Sequence, residues 1–181
     1  TRLTLLTPDS QGNLRFEPSK PSDSELKALD LDKLYNETKE ILMDEDSNSG
    51  DIDELFIMGS SSNGARPKIG LKKDGVSWIV KFPSVYDSKD MGAMEYDYNK
   101  AAQECGIEVS DFELLESKLC KGFFASKRFD RPNEGQIHMV SASGLLETSH
   151  RTPVMDYRHL FKLSWFLSKD VNELQRVFDL M

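Results

Sequence analysis

The chain has 181 residues, of which 38% are hydrophobic and 30% are charged, as in an ordinary soluble globular protein. Its net charge of −8 argues against direct contact with nucleic acid, because phosphate backbones favour dense lysine and arginine patches. No apolar run approaches the roughly 18 residues that a membrane span needs, and no secretion signal is evident. With Cys105 and Cys120 as its two cysteines, we expect no disulfide framework and a cytoplasmic location.

The first third of the chain predicts few regular elements. Residues 1–29 are rich in turn formers, with one short strand expected from Leu14 to Phe16. Residues 30–43 place apolar side chains at helical spacing and predict a helix. We interpret the acidic stretch 44–54 as a solvated loop, with a metal or partner site as the alternative.

Residues 67–84 (PKIGLKKDGVSWIVKFPS) predict two antiparallel strands. The Lys-Asp-Gly sequence is typical of a hairpin turn, and side chains alternate on both sides of it. Lys81 is expected near the end of the second strand, which Pro83 terminates.

Residues 90–105 give the clearest helix, with Asp90 as its cap and Gly106 at its end. Glu95 lies beside the apolar stripe of this helix, so it can be directed toward the sheet. The stripe is expected to be core and comprises Met91, Met94, Tyr98, Ala101, Ala102 and Cys105.

Strands are then predicted at 112–116, 120–127 and 136–141, followed by helices at about 156–167 and from 170 onward. Asp170 and Glu173 resemble a capping box for the last helix. The order of elements predicts an α+β fold with a mainly antiparallel sheet. The chain starts at Thr1 and stops on an apolar stripe at Met181, so we expect it to be a piece of a larger protein.

The stretch GSSSNGARPK, residues 59–68, raises the question of phosphate binding. Gly59 and Gly64 have the separation of a Walker A motif, but Ala65 and Arg66 occupy its lysine and serine or threonine positions. A hairpin follows where that motif needs a helix, so we exclude a P-loop.

A kinase-like nucleotide lobe fits the order of residues better. Such a lobe needs a glycine-rich loop, a strand lysine for the phosphates and a helix glutamate that orients the lysine. The loop at 59–68, Lys81 and Glu95 occur in that order. The alternative is that Lys81 and Glu95 form a routine surface pair.

Five segments together resemble the HipA family of bacterial toxin serine/threonine kinases, over residues 12–181: GSSSNGARPK, WIVKFPS, EYDYNKAAQECGIEV, KRFDR and IHMVSASGLL. The resemblance implies a protein-kinase-like amino-terminal lobe with hinge at 1–131 and the first helices of a carboxyl-terminal lobe at 132–181. It also implies ATP and Mg²⁺ as co-substrates, an aminoacyl-tRNA synthetase as protein substrate and a HipB-like antitoxin as partner.

By the same resemblance, Lys81 is the ATP lysine and Glu95 its helix glutamate. KRFDR, residues 127–131, joins the two lobes, and backbone groups near Lys127 and Phe129 meet the adenine ring. Ser61 corresponds to the autophosphorylated serine, with Ser60 and Ser62 as alternatives. The rest of the loop is expected to cover or support the phosphates through Gly59, Gly64, Arg66 and Lys68.

A phosphate on this loop would be repelled by the phosphates of ATP, so the loop would act as a self-inactivation switch. A flexible Ser/Gly turn without function is the alternative.

The family's catalytic Asn-x-Asp-x-His-x-x-Asn run is absent from the 181 residues, so no catalytic residue is assigned. SDFELL and HRTPVMD imitate kinase motifs but have the wrong residues and order. The three histidines lack metal-ligand spacing.

The alternatives to a kinase fragment are a pseudokinase or split-toxin interaction module, and an ATP-grasp-like nucleotide binder.

Overall fold

A computed structural model describes residues 12–14, 26, 29–43, 66–149 and 155–181, with the side chains of 41–43 left out. The described residues form one four-stranded antiparallel sheet in the order β1-β2-β4-β3. Its strands are β1 Lys68–Lys73, β2 Val76–Lys81, β3 Phe112–Leu115 and β4 Phe123–Lys127. The helices are α1 Leu31–Met43, α2 Met91–Glu104, α3 Ala142–Leu145, α4 Tyr157–Ser168 and α5 Val171–Asp179. The predicted α+β class with a mainly antiparallel sheet is confirmed.

The β1–β2 hairpin forms as its turn residues predict. Asp74 and Gly75 both have positive φ, 51° and 78°, which is the backbone shape that a two-residue hairpin turn needs. The register runs from the pair Lys73 and Val76 at the turn to the pair Lys68 and Lys81 at the open end. Lys81 is the last residue of β2, as predicted.

One face of the sheet carries the hydrophobic core. Because strand side chains alternate, every second residue of β1, β2 and β4 points to this face, and α1 covers it. Tyr35 of α1 packs against Phe123 at 5.5 Å between ring centroids, and Phe82 meets Phe123 at 4.9 Å. The buried core residues are Tyr35, Ile69, Leu71, Trp78, Val80, Phe82, Phe123 and Ala125.

Helix α1 is fixed to the β3–β4 connection through its first turn. Asp32 accepts hydrogen bonds from the Ser117 hydroxyl at 2.6 Å and from the Lys118 N–H at 2.9 Å. The bond from Ser117 is the main reason that the pKa of Asp32 lies below its ordinary value.

Helix α2 covers the opposite face of the sheet through an unexpected side. Gly92 is buried against Gly122, and the Tyr96 ring lies 5.2 Å from the Phe112 ring. The predicted core stripe is therefore wrong in part: Met94 is 46% exposed, Tyr98 is 73% exposed and Cys105 is exposed. The close approach at Gly92 orients the helix so that Glu95 and Tyr96, and not Met94, face the sheet.

Asp90 begins α2 but does not cap it through its side chain. Its carboxylate instead accepts a hydrogen bond from Lys121 Nζ at 2.7 Å. Gly106 follows the helix with φ of 80°, as its predicted terminating role requires.

The strand predicted at 136–141 is wrong. Residues 136–140 have no strand partner, and Ile137 N–H donates to Asp130 O at 3.1 Å. Ser141 then caps the short helix α3 by accepting from Gly144 N–H at 3.1 Å.

The last two helices form where they were predicted and pack on each other. Asp170 caps α5 by accepting from Asn172 N–H at 2.9 Å, whereas Glu173 pairs with Arg176, so the predicted capping box does not form. A capping box occurs instead at α4, between Asp156 and His159.

Two other predictions fall on parts of the chain that lie mostly or wholly outside the described residues. They are the acidic stretch 44–54 and the strand at Leu14 to Phe16, of which Leu14 is described and lies in no strand. Within the described part of the chain, no helix has the length and apolarity needed to cross a membrane.

Gly92→Ala should destabilise the fold although alanine is the better helix former. A Cβ at this position would lie 2.1 Å from Gly122 O, which is backbone and cannot step aside. We expect the free energy of unfolding to fall by about 1–3 kcal/mol, as in overpacked cores. Urea unfolding followed by circular dichroism measures this. Gly70→Ala is the control, because no heavy atom lies within 4 Å of its added Cβ. Equal stability of both variants would contradict the close α2–sheet contact.

Candidate functional site

The face of the sheet that α2 covers carries the ion pair between Lys81 and Glu95. Lys81 ends β2, and Glu95 lies on the second turn of α2, directed at the strand. Lys81 Nζ also lies 5.1 Å from the centre of the Phe124 ring. The Lys81 side chain remains 35% exposed, so its ammonium group is held in place and still accessible to a ligand.

Lys68 adds a second positive charge beside this pair. It is the Cα partner of Lys81 across β1 and β2, so both side chains point to the same face. Burial lowers the pKa of Lys68, and the charge of Lys81 lowers it further, while Glu95 acts against both. The ammonium groups of Lys68 and Lys81 thus lie on one face of the sheet, and paired ammonium groups of this kind can bind an anionic ligand.

An apolar surface continues from this corner along the sheet. Ile79 lies two residues before Lys81 and therefore on the same face, between Gly70 and Ser126 on the neighbouring strands. Gly70 is exposed, and no heavy atom lies within 4 Å of the Cβ it lacks. Sequence reasoning missed Ile79, although the strand period of two would have identified it.

The KRFDR segment lies at the far end of the same strands. Lys81 pairs with Phe124 and Trp78 pairs with Lys127, so the two ends are three residues apart, roughly 10 Å. Lys127 N–H donates to Asp111 O at 2.8 Å, and the Lys127 carbonyl oxygen has a 3.5 Å contact from Ser126 Oγ. Phe129 is 61% exposed.

Arg66 fixes the chain where it enters β1. Its guanidinium group donates two hydrogen bonds to the Asp87 carboxylate, Nε at 2.8 Å and Nη2 at 3.1 Å. The Ser84 N–H and then Arg66 hold the pKa of Asp87 below its ordinary value. Phe82 N–H also donates to Pro67 O at 2.9 Å. Residues 66–68 are thereby fixed beside Lys81, and Asp87 is a supporting residue that sequence reasoning missed.

The serine stretch itself, with Gly59, Ser60, Ser61, Ser62 and Gly64, lies outside the described residues. Its predicted roles stay predictions.

A metal site has no support in the described ranges. No group of three or more His, Cys, Asp or Glu side chains there is placed to hold a metal ion. His159 takes part in the cap of α4, where Arg158 is the main cause that lowers the pKa of Asp156 to about 2. The described residues alone therefore provide no Mg²⁺ site.

Comparison with protein families identifies the chain. The family model of the HipA-like C-terminal domain matches residues 60–181, more than half of the sequence. The chain belongs to the HipA-like family. The match includes Lys81, Glu95 and the KRFDR segment, and it confirms the family suggested by the five sequence segments. Curated proteins and solved structures gave no match. The division into lobes at residue 131 stays a prediction.

Acid should destabilise this protein through two aspartates that anchor its elements. Asp32 and Asp87 have pKa values below the ordinary 3.8 in the native state. The unfolded chain therefore takes up protons at a higher pH than the native chain, so the stabilisation is complete above about pH 5 and is lost as the pH falls below 3.8. Urea unfolding at pH 7, 5, 4 and 3 measures the free energy of unfolding.

Asp32→Asn combined with Asp87→Asn should lower stability at pH 7 and weaken its dependence on pH. Asp111→Asn, which removes an exposed carboxylate, is the matched control. An unchanged pH dependence in the double variant would show that neither hydrogen-bond network is linked to folding.

Proposed function

We propose that the α2 face of the sheet binds ATP and forms the nucleotide-binding part of a HipA-like serine/threonine kinase. The Lys81–Glu95 ion pair, with Lys68 beside it, carries this proposal. A lysine that a carboxylate holds on a half-buried strand is preorganised for phosphate oxygens, since little side-chain entropy remains to be lost on binding.

The base of ATP is assigned to the opposite end of the same strands. The Lys127 carbonyl oxygen is an acceptor for the amino group of adenine, and the Phe129 N–H is a donor for a ring nitrogen. Ile79 offers an apolar surface between them and Lys81. The spacing of roughly 10 Å between the two ends suits a ligand with a base at one end and phosphates at the other.

This chain would bind and orient ATP, and the transfer step needs groups that it does not contain. The resemblance supplies the wider setting: Mg²⁺ as metal, a protein such as an aminoacyl-tRNA synthetase as substrate, and a HipB-like antitoxin as partner. No catalytic run of the Asn-x-Asp-x-His-x-x-Asn type occurs in the 181 residues, so no phosphoryl-transfer step is assigned to residues of this chain.

A second candidate function does without phosphoryl transfer. In this alternative the chain is a pseudokinase or one half of a split toxin, which keeps the lobe as a binding surface. Sequencing the gene past the codon of Met181 discriminates between the two. A catalytic run there supports the kinase, and a stop codon or a run without its aspartate supports the interaction module.

Lys81→Ala should abolish measurable ATP binding. It removes the ammonium group that contacts the phosphates, and charged hydrogen bonds of this kind contribute about 1.5–3 kcal/mol, a factor of ten or more in the dissociation constant. Glu95→Gln should weaken binding less, because the lysine remains but is no longer held by a charge. Isothermal titration calorimetry with ATP measures both.

Lys121→Ala is the matched control, because Lys121 pairs with Asp90 at the start of the same helix but is 67% exposed. Wild-type affinity in the Lys81→Ala variant would refute the assignment of this face to ATP.

We further propose that Ser61 is the autophosphorylated residue of the loop, with Ser60 and Ser62 as alternatives. Ser61→Glu should then reduce ATP affinity, because a carboxylate on the covering loop repels the phosphates of the nucleotide. Ser61→Gln has the same size without the charge and should retain the wild-type affinity. Titration with ATP at low and high salt checks the electrostatic origin, since salt screens the repulsion. Equal affinity of the two variants at low salt would contradict the proposed switch.

A further inference from the structure

Asp130, a buried carboxylate that accepts four hydrogen bonds, lies next to the candidate base-binding residue Phe129. The Asp130 side chain is 4% exposed. It accepts hydrogen bonds from Arg128 Nε at 3.0 Å and Nη2 at 2.7 Å, and from Arg131 Nη1 at 3.0 Å. The fourth donor is the Gly12 N–H at 2.8 Å, which lies 118 positions away in the sequence.

Both peptide groups of Gly12 are bound to this segment. Its N–H donates to Asp130, and its carbonyl oxygen accepts from Arg131 Nη1 at 2.7 Å. Gly12 has φ of 66°, and a Cβ on it would lie 2.8 Å from the Met139 backbone nitrogen. The position therefore requires glycine for both its backbone shape and its close packing.

The charge balance explains why this contact is tight. Burial acts to raise the pKa of Asp130, but the hydrogen bonds from Arg128 and Gly12 and the charges of both arginines outweigh it, so that pKa lies below its ordinary value. A buried carboxylate that loses one of its donors costs free energy, so the four contacts depend on one another.

The backbone groups of the same residues hold the chain that follows β4. Arg128 N–H donates to Ser77 O at 2.9 Å, Arg131 N–H to Arg128 O at 3.3 Å, and Ile137 N–H to Asp130 O at 3.1 Å. These bonds form one turn that includes Phe129, and the Arg128–Asp130 ion pair spans it. The orientation of the Lys127 carbonyl and the Phe129 N–H therefore depends on the conformation of this turn.

We propose that Gly12 and Asp130 are positioning residues, through which the amino-terminal segment fixes the backbone of residues 127–131 and thereby sets nucleotide affinity. The effect on affinity rests on the proposed function, whereas the effect on the backbone does not. Without the hydrogen bonds to Gly12, the turn at residues 128–131 samples other conformations. A ligand then has to order this turn on binding, which costs affinity.

Amide hydrogen exchange on the full chain without nucleotide tests the structural part. Gly12→Ala and Asp130→Asn should each speed exchange at Arg128, Arg131 and Ile137 by about tenfold or more, the cost of one lost buried hydrogen bond. Amides of the β1–β2 hairpin should not change. Asp111→Asn is the matched control, because it removes an exposed ion pair from Lys127 beside the same turn.

Exchange at these amides that matches the wild type, in a variant that folds, overturns the proposal. Where Asp130→Asn does not fold by circular dichroism, Gly12→Ala decides the question, because it keeps all three charged side chains.

Calorimetric titration with ATP tests the functional part. Each variant should bind ATP about tenfold more weakly, and the double variant should be no weaker than either single one, since both break the same contact. Asp111→Asn should bind like the wild type.

If Lys81→Ala loses ATP binding while Asp130→Asn and Gly12→Ala retain it, the positioning role is overturned and the ATP site stands. If the wild type does not bind ATP, the proposed function fails, and hydrogen exchange alone decides whether Gly12 holds the turn.

Discussion

The close contact between α2 and the sheet at Gly92 is the constraint on which the candidate site depends. A glycine at this position lets the helix backbone approach Gly122 O more closely than any side chain would allow. Glu95, three residues further on, is thereby brought over the end of β2, where Lys81 points out of the same face. The ion pair thus follows from backbone packing, and the charges hold a geometry that the glycine makes possible.

The two faces of the sheet carry different kinds of side chain, because side chains alternate along each strand. The α1 face carries the aromatic core around Tyr35, Phe82 and Phe123. The α2 face carries Lys68, Ile79 and Lys81, where charge and partial exposure are retained. A one-residue shift of β2 in its register would exchange these faces, so the hairpin turn at Asp74 and Gly75 also protects the site.

Local signals in the sequence were sufficient for most elements. The hairpin and the last two helices follow from turn residues, caps and periodicity, whereas the pairing of Glu95 with Lys81 was predicted from the order of residues in a kinase-like lobe. The core stripe of α2 was misjudged because hydrophobicity ranked Met94 and Tyr98 above a glycine, and periodicity carries no information on how closely two backbones approach. The strand predicted at 136–141 was wrong because an apolar pattern does not show whether a segment pairs with another strand, and residues 136–140 pair with none in the described structure. The Gly12–Asp130 contact joins residues 118 positions apart, and no local pattern encodes it.

The two ends of the candidate site, proposed above for the phosphates and for the base of ATP, are held in place by different interactions. The phosphate end lies on β1 and β2, whose ladder fixes Lys68 and Lys81 relative to each other. The base end lies at the end of β4 and just beyond it, where backbone hydrogen bonds of Arg128 and Arg131 and the buried Arg128–Asp130 pair together set the backbone conformation. Buried ion pairs contribute more to a unique conformation than to stability in some proteins, and a turn beyond the end of a strand is a place where uniqueness matters. The charged cluster at 128–131 therefore helps to fix the backbone of the base end, as the β-ladder fixes the backbone of the phosphate end.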